Sequence, residues 1–343
     1  MQRSQPMAVK NAFSSRKHWA GWAFGVLGLA AVILVVFHLG DLQHFVALAQ
    51  GAEPVWLLLA VGLQLLTYVC AAGVWYCALA RIGQRRPMTS LMQLGIAKLF
   101  TDQILPSGGI SGTLMVVQGL ARRRVPSDLA MGAMLVGLVS FYAAYGVAAL
   151  GALGALWLHD QINRVVIAIG AVFALFVVGL PVAVLRLRRL NDGPWLRRLQ
   201  RIPGVARLLK SIAAAPSNLL RSPRLMAETT LLQLGVFLLD GLTLDVMLLA
   251  LGQPNSLLSA FAAFMIANVV TTLGPIPLGL GTFEAASVAT LVLGGISVEA
   301  ALAATLLLRG FTFWLPMLPG LWLARQELGG RPISEVDAPP DHA

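Results

Sequence analysis

Glu284 and Arg309 are ionisable residues inside long apolar stretches. An unpartnered charge is costly there and marks a pathway or a ligand contact. Arg309 is the one strong cation within the apolar stretches of its half of the chain, so two readings are open. The pair is purely structural, or the two residues bind each other and alternate in holding a zwitterionic or anionic headgroup. Thr282-Phe283-Glu284 follows Gly274-Pro275-Ile276-Pro277-Leu278-Gly279-Leu280-Gly281. The carboxylate therefore falls at the start of a helix, where the macrodipole favours it, which is also ordinary capping.

A second group of polar residues flanks another break. Lys98-Leu99-Phe100-Thr101-Asp102-Gln103 precedes Leu105-Pro106-Ser107-Gly108-Gly109, and Ile110-Ser111-Gly112-Thr113 follows it. Gly108 and Gly109 can adopt positive φ and let the backbone approach a ligand. A half-helix starting near Ser111 would aim its N–H groups at an anion such as a lipid phosphate. The plainer alternative is a tight turn, with Lys98 and Asp102 pairing at i, i+4. The expected substrate contacts are thus Lys98, Asp102, Pro106, Ser107, Gly108 and Gly109 at one break. At the other they are Pro275, Pro277, Gly279, Gly281, Glu284 and Arg309.

Asp240 and Asp245 are five residues apart, about 140° around a helix, and so do not form a paired-carboxylate catalytic site. One of them facing a central cavity would suit proton coupling; polar helix packing is the alternative, as it is for Asn268. His38, Asp41, His44, His159 and Asp160 lack a recognised metal-ligand spacing, so no metal is expected. Cys70 and Cys77, seven residues apart in one apolar run, suggest neither a disulfide framework nor a ligand set. There is no phosphate-binding loop, nucleotide fingerprint or nucleophile elbow. No cofactor, no catalytic residues and no enzymatic activity are expected.

These residues must be positioned by elements suited to lipid. The 343 residues are 57% hydrophobic and 12% charged, with mean hydropathy +0.78, more apolar surface than a water-soluble core of this size needs. Spanning segments must satisfy their own backbone, so runs of about 20 apolar residues are read as helices. Full spans are expected near 19–40, 54–80, 128–157, 164–185, 225–251 and 298–324. The segments 88–119 and 257–295, each interrupted by Pro and Gly, are expected to be re-entrant hairpins. The run from Trp19 to Leu39 follows four basic residues, but it exceeds the roughly 7 to 15 residues of a signal-peptide core and is kept as a span.

The sequence pI near 10.6 does not imply nucleic acid here, because the positive charge lies between spans. With the N-terminus inside, 22 of the 25 Lys and Arg fall in cytoplasmic segments. That bias requires 88–119 to enter from and return to the cytoplasm, and 257–295 to do the same from outside. Pro106 and Pro277, Gly108 and Gly279, and Asp128 and Glu299 are each separated by 171 residues. The expected architecture is therefore an all-α polytopic membrane protein with about six full transmembrane helices plus two re-entrant hairpins, in an inverted repeat of 19–157 and 164–325. Broken segments in corresponding positions of inverted repeats point to a transport site.

The connector 186–224 contains Trp195, Leu199, Ile202, Leu208, Leu209 and Ile212 interleaved with Arg197, Arg198, Arg201, Arg207 and Lys210. A basic amphipathic stretch lies in the membrane interface, either recruiting anionic lipid or simply anchoring. Residues 1–18 are expected to be a cytoplasmic segment and 326–343 a disordered cytoplasmic tail.

The Leu105–Gly109 break with its basic turn Arg122 to Arg124, the Pro275-to-Glu284 stretch, Leu308-Arg309 and Phe313-Trp314-Leu315-Pro316 together form a recognisable set. They resemble the transmembrane region of lysylphosphatidylglycerol synthases, which also occurs in stand-alone bacterial inner-membrane proteins of the flippase-like UPF0104 type. The resemblance runs from about the second span to Arg325. It implies movement of a phospholipid, anionic or aminoacylated, or of a lipid-linked molecule, across the inner membrane with both termini cytoplasmic. No soluble synthase domain is expected here. One departure is that an Arg many members carry after the first break has no counterpart at Gly112 to Met115. The alternatives are an accessory protein presenting lipid to a biosynthetic enzyme and a proton-coupled small-solute transporter.

Overall fold

The computed structural model describes residues 51, 53–104, 109–158, 217–253, 256–274 and 279–329, with scattered helical positions between 170 and 182. The expected spans 19–40 and 164–185, most of the connector and the tail lie wholly or largely outside the described residues.

Helix α1, Pro54–Arg81, starts with Pro at its first position, where the missing N–H costs nothing. The pair α2 (Met88–Ile104) and α3 (Ile110–Arg122) flanks the first break, and α4 (Ser127–Leu158) follows. After a short turn at Ser217–Leu220 comes α5, Pro223–Ala250, whose Ser222 hydroxyl caps the N–H of Leu225. The pair α6 (Leu257–Leu273) and α7 (Thr282–Leu293) flanks the second break. Then α8 (Val298–Arg309), a π-helical turn (Gly310–Trp314) and α9 (Leu315–Gly329) form one continuous rod.

The two sets match helix for helix. Residue lengths are 28, 17, 13 and 32 in the first, and 28, 17 and 12 followed by a rod from Val298 to Gly329 in the second. Four of these helices are long and apolar enough to cross a membrane: Pro54–Arg81, Ser127–Gly154, Pro223–Ala250 and Val298–Glu327. The paired short helices are not. At 1.5 Å per residue, α3 and α7 reach only about 20 Å, well short of a hydrocarbon layer of about 30 Å.

Packing supplies the antiparallel relation between the sets. The Glu53 N–H donates to the Ala250 carbonyl at 3.2 Å, and Arg81 at the other end of α1 reaches Ser222 at 3.4 Å. Between them Gly73 lies against Leu232, so α1 and α5 run antiparallel along their whole length, with their midpoints apposed. Each hairpin then nests in its own apolar core. Leu91, Leu94, Met115 and Leu120 belong to one, whereas Met265, Phe283, Leu291 and Leu308 belong to the other. Fully buried Ala260, Ala263, Ala267, Ala301, Ala303 and Ala304 let backbones approach closely, the packing that lipid-embedded helices depend on. Outward-facing Leu58, Leu231, Leu318 and Trp322 are exposed, as expected of a surface meeting lipid.

The last span departs from the simple helix expected over 298–324. Pro316 and Pro319 carry no N–H, so the carbonyls four residues earlier lose their α-helical partners, and the rod loosens into the π turn directly after Arg309. Gly320 then packs so tightly on α2 that a Cβ there would lie 2.7 Å from Phe100 Cβ. This contact seats α2 directly against α9.

Candidate functional site

At the first break, Asp102 on α2 accepts from Lys98 Nζ at 2.6 Å through one oxygen. Its other oxygen accepts from the backbone N–H of Gly112 at 2.9 Å, in the first turn of α3. The anion expected at this helix start is thus the chain's own carboxylate. Gly112 is required for that approach, since a Cβ would fall 2.4 Å from Asp102 Oδ1. Gly109 sits in the left-handed region, φ 84°, as the N-cap of α3. Pro106, Ser107 and Gly108 lie outside the described residues.

At the second break the same connection is made with other residues. Glu284 Oε2 accepts from the Gly281 N–H at 2.7 Å, the carboxylate half of a capping box, at the start of α7. Glu284 Oε1 accepts from Arg309 Nε at 2.9 Å. Both side chains are nearly inaccessible, 8% and 12% exposed, so this is a desolvated pair; Lys98 and Asp102 retain 26% and 21%. The Arg309 guanidinium also lies over two rings, 5.1 Å from the centroid of Phe283 and 4.5 Å from that of Phe313. The π turn is what swings Phe313 under it. Gly279, φ 64°, and Gly281, φ 83°, hold backbone that L side chains avoid, and a Cβ on Gly279 would also strike Thr271 at 2.1 Å. Pro275 and Pro277 lie outside the described residues.

Each break therefore has one carboxylate joined to a cation and to an N–H freed where the returning helix begins. One further polar atom sits in the last turn before each break. Gln103 Oε1 and Thr271 Oγ1 are buried and have no hydrogen-bond partner among the described residues. Such atoms cost about 1–3 kcal/mol unless something completes them.

The two aspartates of α5 separate as expected. Asp240 accepts from Gln64 Nε2 at 2.9 Å across the α1–α5 interface, and the same amide reaches Thr243 Oγ1 at 3.2 Å. Among the described residues no Lys, Arg or His forms a salt bridge with Asp240. Asp245 is buried on another face of the helix. Asn268 donates to the Phe264 carbonyl of its own helix, a bond within α6 that decides neither alternative. No cluster of three or more His, Cys, Asp or Glu able to hold a metal occurs among the described residues.

Several participants were not singled out by sequence reasoning. Gln64 and Thr243 were visible only as polar residues in apolar runs. The Tyr145 hydroxyl, 2.9 Å from Thr272 Oγ1, ties α4 to the last turn of α6. At the C-terminal end of α3, Arg123 pairs with Glu327 at 2.6 Å and donates to Ser90, while Arg122 donates to the Glu327 carbonyl. The proline pair Pro316 and Pro319 was the available signal for the π turn.

Comparison with known proteins places these features in context. No curated protein matches the chain. The family model described as the lysylphosphatidylglycerol synthase TM region matches residues 22–320, which include both breaks, the Glu284–Arg309 pair and every helix of the repeat through α8. This multi-pass integral membrane protein belongs to the lysylphosphatidylglycerol synthase transmembrane-region family.

Proposed function

We propose that the chain binds the polar head of a phospholipid or lipid-linked molecule at its two breaks and moves it between the leaflets of the bacterial inner membrane. The observation that carries this reading is the duplicated carboxylate–cation–amide connection where two antiparallel sets of helices interrupt their backbones. Broken helices are tolerated inside a membrane only where their freed groups line a cavity or meet a ligand. An anionic phosphate competes with Glu284 for Arg309 and with Asp102 for Lys98. Each ion pair thus serves as the resting partner that a headgroup displaces. Gln103 Oε1 and Thr271 Oγ1, buried and without a partner among the described residues, add hydrogen-bonding capacity at the same two places. In this reading the hairpins enter from opposite faces, both termini are cytoplasmic, and no bond in the lipid is made or broken.

The test is reconstitution into liposomes with labelled phospholipids of different headgroups, comparing the native chain with Glu284→Gln and Arg309→Gln. Movement of at least one anionic or aminoacylated lipid by the native chain, lost in both variants, supports the proposal. If the native chain moves none of them, transport is wrong; if both variants move lipid at the native rate, the site is wrong.

A second reading, proton-coupled transport, is favoured by the Asp240–Gln64–Thr243 cluster at the interface of the two sets. It need not exclude the first, because a proton on Asp240 would couple at a place distinct from the headgroup contacts.

A further inference from the structure

Between α4, α6 and described helical positions from 170 to 178 lies a cavity of about 170 Å³ whose lining, among the described residues, contains no polar side chain. Gly146, Ala149 and Ala152 on α4, Phe173 and Val177 opposite, and Val269 on α6 form much of its wall. The walls are close to touching at both ends. A Cβ on Gly146 would lie 3.2 Å from Val177, and one on Gly170 would lie 3.2 Å from Leu153. At the rim, Leu150 and Val178 are 69% and 64% exposed, so the cavity opens to the surface that faces lipid.

The inner end has a different chemistry. The residue before Gly146 is Tyr145, and one turn beyond Val269 is Thr272; their hydroxyls bond at 2.9 Å beyond that end of the lining. The Tyr145 ring packs edge-on to Phe173, 4.5 Å between centroids, and stacks on Phe237 at 5.0 Å, which fixes its position beside the cavity wall. Past Thr272, α6 ends at Leu273 and the second break begins. A molecule lying in the cavity with its apolar part outward therefore directs its other end toward Gly279, Gly281 and the Glu284–Arg309 pair.

The geometry points to this cavity as the seat of one acyl chain of a membrane phospholipid, the chain belonging to the lipid whose head is held at the second break. The inference rests on the headgroup reading above and extends it to the hydrophobic half of the substrate. Wholly apolar cavities of about 150 Å³ stay dry and accept hydrocarbon, so water is not the occupant. The lining runs from Gly146 to Leu153 on α4, about 10 Å of helix, and its mouth meets the hydrocarbon phase where such chains are the solvent. What distinguishes this cavity from any lipid-facing dent is that its two walls, α4 and α6, lead next to a hydroxyl pair and then to a backbone break. Apolar along its described lining, with a hydroxyl pair and a backbone break next along the same two helices, it matches the amphiphile the function requires.

The experiment uses the full chain in phosphatidylglycerol liposomes doped with phosphatidylglycerol carrying a diazirine in mid-chain, irradiated and mapped by peptide mass spectrometry. A parallel sample carries a diazirine diacylglycerol, which has the same chains and no phosphate. Labelling at 146–153, 173–178 or 265–269 is expected. It should be stronger for the phospholipid, and reduced about tenfold by Ala149→Phe, the factor that corresponds to 1.4 kcal/mol of lost binding. Ala152→Leu, a smaller filling, guards against a misfolded Phe variant, and Gly154→Leu, where a Cβ meets nothing within 4 Å, is the control. Equal labelling by both probes, unchanged in Glu284→Gln, keeps the acyl seat and overturns the headgroup reading. Absent labelling in the cavity, with transport still abolished by Glu284→Gln, overturns the acyl seat alone. A rapid disulfide from Ala149→Cys in a Cys70→Ser, Cys77→Ser background, to a cysteine in 19–40 or to a second copy, also overturns it, because the cavity is then a protein contact.

Discussion

Replacing Arg309 with Gln leaves the Glu284 carboxylate 8% exposed and supported only by the Gly281 N–H at 2.7 Å. Removing one partner of a buried ion pair costs about 3–5 kcal/mol, because the remaining charge is left uncompensated. Loss of the contacts to Phe283 and Phe313 adds to this, at about 0.5–2 kcal/mol for each desolvated cation–π contact. Glu284→Gln should cost less, since Arg309 keeps both rings and Gln can still accept from the Gly281 N–H. The double variant removes both charges and should be more stable than the sum of the single changes implies, with a coupling of about 1–3 kcal/mol. Cys70 and Cys77 offer a built-in assay. Both are free and only partly accessible on α1, so a thiol-reactive fluorophore reports opening of the bundle during thermal unfolding in detergent. Additivity of the two single changes within about 0.5 kcal/mol would refute the claim that this pair stabilises the break.

Other outcomes follow from the same geometry. Gly112→Ala drives a methyl into the Asp102 carboxylate and should cost about 1–3 kcal/mol in the same thiol assay, whereas Gly62→Ala, which meets nothing, should be near neutral. Gly109→Ala, at φ 84°, should cost about 1–2 kcal/mol of backbone strain, measured alongside it. Asp240→Asn keeps an oxygen for Gln64 and should leave the fold intact. If a proton gradient drives transport through this group, the variant abolishes the dependence of initial rate on an imposed gradient, and an unchanged dependence removes Asp240 from that role. Arg123→Ala frees Glu327 and Ser90 at the base of the first hairpin and should speed proteolysis after Arg325 in inverted vesicles, with Arg224→Ala, an exposed pair, as the unaffected control.

Much of this architecture was legible because lipid makes the sequence speak in long words. Spans read as 54–80, 128–157 and 225–251 emerge as Pro54–Arg81, Ser127–Leu158 and Pro223–Ala250. Both interruptions appear as breaks between paired short helices, because Pro and Gly remove the hydrogen bonds and side-chain contacts a helix needs. The partner of Glu284 was legible too, since a buried carboxylate needs a cation and Arg309 was the one at hand. The partner of Asp102's second oxygen was not. That bond joins Asp102 to a backbone N–H ten residues on, and it depends on the path of the break rather than on residue type. Gln64 with Asp240, and Tyr145 with Thr272, are separated by 176 and 127 residues and were hidden for the same reason. In an apolar helix no periodic polar face announces which polar residue meets which.

The two breaks reach one arrangement by different routes, and the difference has a physical reason. In the first, the carboxylate comes from the helix entering the break and its cation lies one turn earlier on that same helix, so the whole cluster belongs to one hairpin. In the second, the carboxylate belongs to the returning helix and its cation to the following rod, where the π turn aims Phe313 beneath it. Opening the first pair therefore requires only a side-chain movement of a partly exposed lysine. Opening the second separates two elements and uncovers a desolvated guanidinium. A headgroup that displaced Asp102 would meet a mobile, hydrated cation, whereas one that displaced Glu284 would meet a rigid, planar one backed by two rings. In the proposed function the first break thus suits capture and release, and the second suits selection of the headgroup. Arg309→Lys should accordingly flatten headgroup preference in the liposome assay more than Lys98→Arg does, and the reverse ranking would assign the selective role to the first break.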